Sequence, residues 1–255
     1  MTGTLTEALS QSLLAGGLGT ALGAVPVLFV RRVGPRTESA LAGFSAGVML
    51  AAAFVGLLLP ALERCGDGGS GSWLVLLGTA LGALAIDLLH RSSPHEHFGK
   101  GPEHAHHSRL ARVWLFAIAL GLHNVPEGLA VGVGVASGDA NVSWPVTLAI
   151  GVQNVPEGLI VAVAFFAAGQ RKRTALLVTL LTGLVEPLGA LLGFAAVQVV
   201  TSALPAALAF AAGAMLYVVS HEIIPESHRE GRSSVATFGL VLGVLLMLQV
   251  DAVLG

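Results

Sequence analysis

The chain has 255 residues, of which 54% are hydrophobic and only 11% charged, against roughly 25% charged in a soluble domain. Thirteen basic residues face fifteen acidic ones, giving a net charge of −2, too little charge to cover a soluble surface and no basic face for nucleic acid. The single cysteine, Cys65, excludes an internal disulfide and any cysteine-rich metal cluster.

These exclusions leave an all-α polytopic membrane protein, read as one transmembrane domain over residues 1–255 with the lipid bilayer as its first partner. A helix needs about 20 apolar residues to cross the hydrocarbon core. The uncharged stretches 8–30, 39–62, 68–86, 113–126, 140–156, 174–185, 187–220 and 233–250, broken at Gly, Pro and polar clusters, predict eight transmembrane helices. In chain order they run roughly over 9–31, 39–62, 72–91, 113–136, 145–168, 174–199, 204–225 and 233–253. The stretch 187–220 is too long for one span and divides near Thr201–Pro205. The first segment is read as a retained helix rather than a signal peptide, because Glu7 precedes it and Arg31 and Arg32 follow it.

Twelve of the thirteen basic residues fall in the loops after the first, third, fifth and seventh helices, and only Arg64 falls on the other side. By the positive-inside rule those loops are cytoplasmic. Both termini then lie outside, and the protein is a multi-pass protein of the cell (inner) membrane.

The fourth and fifth helices carry a repeat. Residues 123–133 read HNVPEGLAVGV and residues 153–163 read QNVPEGLIVAV, with eight of eleven positions shared. Each motif starts about nine or ten residues into its span, which at ~1.5 Å rise per residue is near the bilayer midplane. The two helices are antiparallel, so their polar groups can meet at one depth. His123 and Glu127, like Gln153 and Glu157, are four apart and share a helix face. Pro126 and Pro156 each remove a backbone donor beside a carboxylate. Glu186, followed by Pro187 in the sixth helix, reaches the same depth. A charge at the midplane costs about 2.5–3.5 kcal/mol even on the gentlest scale. Three carboxylates there with no Lys or Arg in the spans call for a cation from elsewhere, a proton or a metal. Carboxylate, imidazole and carboxamide ligands suit a divalent first-row metal.

HNVPEG in the fourth helix and the second xNxPEG in the fifth, within eight helices, resemble the ZIP (Zrt-, Irt-like protein) metal transporters, in particular their bacterial GufA-like branch. The resemblance extends over nearly the whole chain, including the His-bearing loop between helices 3 and 4 and HEIIPE in helix 7. It implies transport of Zn²⁺, and of Cd²⁺, Fe²⁺ or Mn²⁺ in some members, towards the cytoplasm, with the metal as substrate and no organic cofactor. It further implies a midplane centre in which a first metal is held by His123, Glu127, Gln153 and Glu157, with Met49 of SAGVMLAAAF at the family's thioether position. A second metal would use Asn124, Glu127, Asn154, Glu157 and Glu186, with both motif glutamates bridging. Some relatives carry Asp where Asn154 stands, so here that second position has one negative charge fewer.

Asp87 and His90 near the cytoplasmic end of helix 3, and His221 and Glu222 near that of helix 7, are expected to form an inner exit path. HEIIPE departs from the zinc-protease pattern HExxH at Pro225, which lacks the second ligand. The cytoplasmic loop 91–112 holds His95, His97, His104, His106 and His107 and is read as a weak metal-capture tract. Two other functions compete with transport: an intramembrane metal-dependent hydrolase, and a metal-sensing membrane protein without flux. The duplicated motif disfavours the hydrolase, because a bridged centre uses every candidate base as a ligand. Gly78, Gly82, Gly239 and Gly243 in helices 3 and 8 pack either inside the bundle or across a homodimer.

Overall fold

A computed structural model describes residues 3–29, 33–65, 69–92, 109–199, 204–228 and 233–254. The five loop histidines assigned to metal capture lie outside the described residues. Among the described residues, eight helices are long and apolar enough to cross a membrane: α1 (Leu5–Leu28), α2 (Pro35–Glu63), α3 (Gly71–Ser92), α4 (Val113–Ala136), α5 (Ala140–Ala167), α6 (Lys172–Val199), α7 (Leu204–Ser227) and α8 (Ser233–Leu254).

Several helices begin earlier than the uncharged stretches suggested, because polar residues there serve as caps. The Glu7 amide donates to Thr4 Oγ1 at 3.2 Å and the Thr4 amide donates to Glu7 Oε2 at 2.7 Å. This capping box starts α1 four residues ahead of the predicted boundary. Asp139 caps α5, accepting from the Asn141 amide at 3.0 Å, so the helix starts before Pro145 and runs through it. Pro35 opens α2 at a position where a missing N–H costs nothing. Arg64, the lone outer basic residue, pairs with Asp139 at 2.8 Å and joins the outer end of α2 to the α4–α5 turn.

The helices sort into two groups. α1, α4, α5 and α6 pack on one another, as do α2, α3, α7 and α8, and the groups meet mainly through α2 and α7 against α4 and α5. Glycines set the spacing inside each group. Four glycines of α3 and α8 pack within the chain: Gly78 and Gly82 against α7, Gly239 and Gly243 against α2. A Cβ on Gly128 of α4 would sit 2.0 Å from the Glu186 carbonyl oxygen of α6. The Gly128→Ala variant must therefore push α4 and α6 apart. We expect its thermal midpoint in detergent to fall by several degrees. An unchanged melting curve would contradict this packing.

Outward faces are leucine-rich, as lipid contact requires, with Leu76, Leu77, Leu81 and Leu84 of α3 and Leu242 and Leu245 of α8 all exposed. Three wide π-helical stretches interrupt the regular geometry, at Leu13–Leu18, Ala52–Leu58 and Val219–Ile223. The last contains His221 and Glu222, and such turns are frequent at functional sites.

Candidate metal centre

Both motif helices run through Pro126 and Pro156 without interruption. The break falls in α6 instead, where one helical segment ends at Gly183 and the next starts at Glu186. Pro187 has no N–H for the Gly183 carbonyl, so the ladder cannot run through. The break brings the fully buried Glu186 carboxylate to α1 and α5: a Cβ on Gly16 would lie 2.4 Å from it, and Asn154 Nδ2 donates to its Oε1 at 2.6 Å.

The two motifs meet as the repeat geometry predicts. Gln153 Nε2 of α5 donates to Glu127 Oε1 of α4 at 2.6 Å. Asn124 Nδ2 donates to the Thr182 carbonyl of α6 at 2.8 Å, and Asn154 Nδ2 also reaches the Ala15 carbonyl in the π-helical stretch of α1 at 3.2 Å. All of these side chains are buried. From α2, Ser45 Oγ donates to the Gln153 carbonyl at 3.0 Å and lies 3.4 Å from Glu157 Oε1. Met49 is fully buried one turn further outward on the same face as Ser45. The sequence signal for Ser45 was available, since it is the hydroxyl four residues before Met49 in the same apolar run.

One oxygen of each of six residues is buried with no hydrogen-bond donor: Asn124 Oδ1, Glu127 Oε2, Gln153 Oε1, Asn154 Oδ1, Glu157 Oε2 and Glu186 Oε2. All six are acceptors, and their amide partners already spend N–H groups elsewhere in the cluster. A buried acceptor without a donor costs about 1–3 kcal/mol, and a cation is the ligand that satisfies several at once. Among the described residues no three His, Cys, Asp or Glu side chains are arranged to hold a metal ion as they stand. The reason is visible in the pairings: two carboxylates are engaged by amides, and His123 is turned away.

His123 Nε2 lies 2.7 Å from Glu222 Oε2 of α7, and the other oxygen of Glu222 lies 2.9 Å from His90 Nδ1 of α3. Glu222 thus joins His123 of α4 to His90 of α3. The rings of His90 and His221 meet edge-on at 5.0 Å, and Tyr217 stacks on His221. Asp87 faces this group from one side, accepting from Tyr217 Oη at 2.8 Å and pairing with Arg91 at 2.9 Å. Tyr217 was not singled out in the sequence; as the chain's only tyrosine, in a span of aliphatic residues, it stood out only by composition.

A cavity of about 120 Å³ leads to the centre, lined by Glu38, Ser45, His123, Glu157, Glu222 and Glu226 among others. Its lining includes Glu38 at the start of α2 and Glu226 at the end of α7, the helix ends that adjoin the basic loops. Glu157, 7% exposed, sits on its wall, whereas Glu127, Gln153, Asn154 and Glu186 are fully covered. Asp87 and His221 are not on the cavity wall.

A family model described as "ZIP Zinc transporter" matches residues 85–251. The chain is 44% identical over 245 residues to "Zinc transporter ZIPB" of Bordetella bronchiseptica, covering 94% of this chain and 79% of that protein. It is 44% identical over 251 residues to "Zinc transporter GufA" of Myxococcus xanthus, covering 97% and 98%. It is 34% identical over 242 residues to "Zinc transporter ZupT" of Streptococcus mutans, covering 91% of each.

Proposed function

The chain belongs to the ZIP family of metal transporters, and from that premise we propose that it carries divalent metal ions, zinc foremost, across the inner cell membrane into the cytoplasm through the midplane centre. It is a multi-pass membrane transporter and not an enzyme. The observation that carries the assignment of the centre is the set of six donorless buried oxygens on Asn124, Glu127, Gln153, Asn154, Glu157 and Glu186. They come from residues of α4, α5 and α6 and lie in a region with no basic side chain to balance three carboxylates.

The residues act in sequence along the path. Glu127, Glu157, Gln153 and His123, with Met49 nearby, replace the water shell of the entering ion. Its binding frees the amide of Gln153 from Glu127 and draws His123 back from Glu222. Reversal returns His123 to Glu222 and leaves the ion beside Glu157, on the wall of the inward cavity. Glu222, shared with His90, is the next carboxylate on the way out. Ion binding among carboxylates crowded in a low-dielectric place displaces protons. The His-bearing loop collects metal at the cytoplasmic side.

Zinc uptake into proteoliposomes tests the function, with Cd²⁺, Fe²⁺ and Mn²⁺ as competitors. Uptake of zinc with Cd²⁺ as the strongest competitor is the expected result, because imidazole and thioether ligands favour the softer ions. Metal binding without any flux would support the sensing protein instead.

A further inference from the structure

We propose that Ser45 is a specificity-determining residue of transport: its hydroxyl offers the ion a neutral oxygen beside Glu157 and so favours zinc over softer cations. The inference rests on the midplane centre being the transport site and names what governs its choice among ions.

Local packing fixes where Ser45 points. On α2, a Cβ on Gly43 would lie 2.2 Å from the Ala236 carbonyl oxygen of α8, and one on Gly47 would lie 2.0 Å from that of Leu240. This glycine face is pressed onto α8. Ser45 is two residues from each glycine, which at about 3.6 residues per turn is the opposite side of the helix. It is 1% exposed and meets α5. Its single hydroxyl hydrogen has a near acceptor, the Gln153 carbonyl at 3.0 Å, and a far one, Glu157 Oε1 at 3.4 Å. An O–H···O bond is normally about 2.7–2.8 Å long, so the hydrogen goes to the nearer oxygen. The hydroxyl lone pairs are then left beside Glu157 Oε1, and the other oxygen of that carboxylate has no donor at all.

Two acceptor oxygens buried side by side are suited to a cation that joins them. Tetrahedral zinc with oxygens at about 2.0–2.2 Å sets those oxygens about 3.3–3.6 Å apart. The separation of 3.4 Å between Ser45 Oγ and Glu157 Oε1 falls in that range. Both residues line the cavity that His123 and Glu222 also line, so an ion moving between centre and cavity passes this pair. Met49 stands one turn further along α2. One helix face thus presents a thioether and a hydroxyl, the first a soft ligand and the second a hard one. The hydroxyl contributes more to holding zinc than to holding Cd²⁺, and without it the balance moves towards Cd²⁺. Because Ser45 is neutral, it adds this preference without the extra charge that would trap the ion.

Initial rates of zinc and of Cd²⁺ uptake into proteoliposomes test this with the full chain carrying Ser45→Ala, Ser45→Thr or Ser45→Cys. Both ions are measured on the same preparation, so any loss of folded protein cancels in their ratio. In Ser45→Ala, loss of one neutral contact should raise the KM for zinc about two- to tenfold and leave that for Cd²⁺ nearly unchanged. Ser45→Thr keeps the hydroxyl and should keep the unmodified ratio of the two KM values, even where its rate falls. Ser45→Cys should move the ratio further towards Cd²⁺ than Ser45→Ala does. A change of equal size for both ions in Ser45→Ala would make Ser45 a structural tie between α2 and α5 and overturn the proposal. So would a ratio that no variant moves, or a Ser45→Thr ratio equal to that of Ser45→Ala. Uptake that persists in the His123→Ala, Glu127→Ala double variant is a separate failure, that of the transport-site reading itself.

Discussion

Proteoliposomes carrying His123→Ala together with Glu127→Ala are expected to take up zinc no faster than liposomes without protein. His123 and Glu127 share one face of α4, and Glu127 is fully buried against Gln153. Removing them takes away the imidazole and one of the three carboxylates proposed to replace the water shell of the ion. Loss of even one charge-assisted contact is worth about 1.5–3 kcal/mol, and here two go from a place where nothing else can replace them. Glu127→Ala removes a buried carboxylate but leaves the Gln153 amide without its acceptor, and His123→Ala takes one partner from Glu222, so thermal unfolding of the variant is measured alongside uptake to show that the loss is not one of folding. Uptake that survives the double substitution would show that the ion does not pass through the midplane centre.

Glu222→Gln is expected to slow uptake about tenfold without weakening zinc binding at the centre. Glu222 receives His123 at 2.7 Å and His90 at 2.9 Å, and in the proposed cycle it is the carboxylate that takes the histidine back when the ion leaves. A neutral amide removes that pull, and one charge-assisted hydrogen bond of about 1.5–3 kcal/mol corresponds to tenfold or more in rate. His123 then stays with the ion, which is held rather than released. The two readouts separate the roles: uptake falls while equilibrium binding holds or tightens. Unchanged uptake would remove Glu222 from the path, and lost binding would make it a ligand of the centre itself.

The membrane architecture was legible because few residues carry it. The few charges mark the helix ends, and the basic ones mark one side. The repeat around Glu127 and Glu157 announced its depth by its distance from those ends. The helix starts were less legible, since Glu7 and Asp139 are charges that cap helices rather than end them. The interruption near Glu186 was visible as Pro187, yet Pro126 and Pro156 carry the same local signal and interrupt nothing. A missing N–H breaks a helix only where neighbouring packing does not hold it, and that depends on the other helices.

The inner residues show the same limit. Asp87, His90, His221 and Glu222 were grouped by their position near one end of helices 3 and 7, by the shared face of Asp87 and His90, and by the family resemblance. Glu222 and His90 are indeed in contact, but Asp87 is taken up by Tyr217 and Arg91. Depth along a span is a property of sequence position; which way a side chain turns at that depth is not.

The sequence by itself determined that this is an eight-helix membrane protein with an uncompensated set of carboxylates at the midplane, because hydrophobicity and charge act locally and add up along the chain. Only the tertiary structure decided which oxygens remain without donors, that His123 turns to Glu222, and that Asn154 spends its amide on Glu186 and Ala15. Those are contacts between residues up to 139 positions apart, and they are set by glycine-spaced packing of whole helices, which no local pattern encodes.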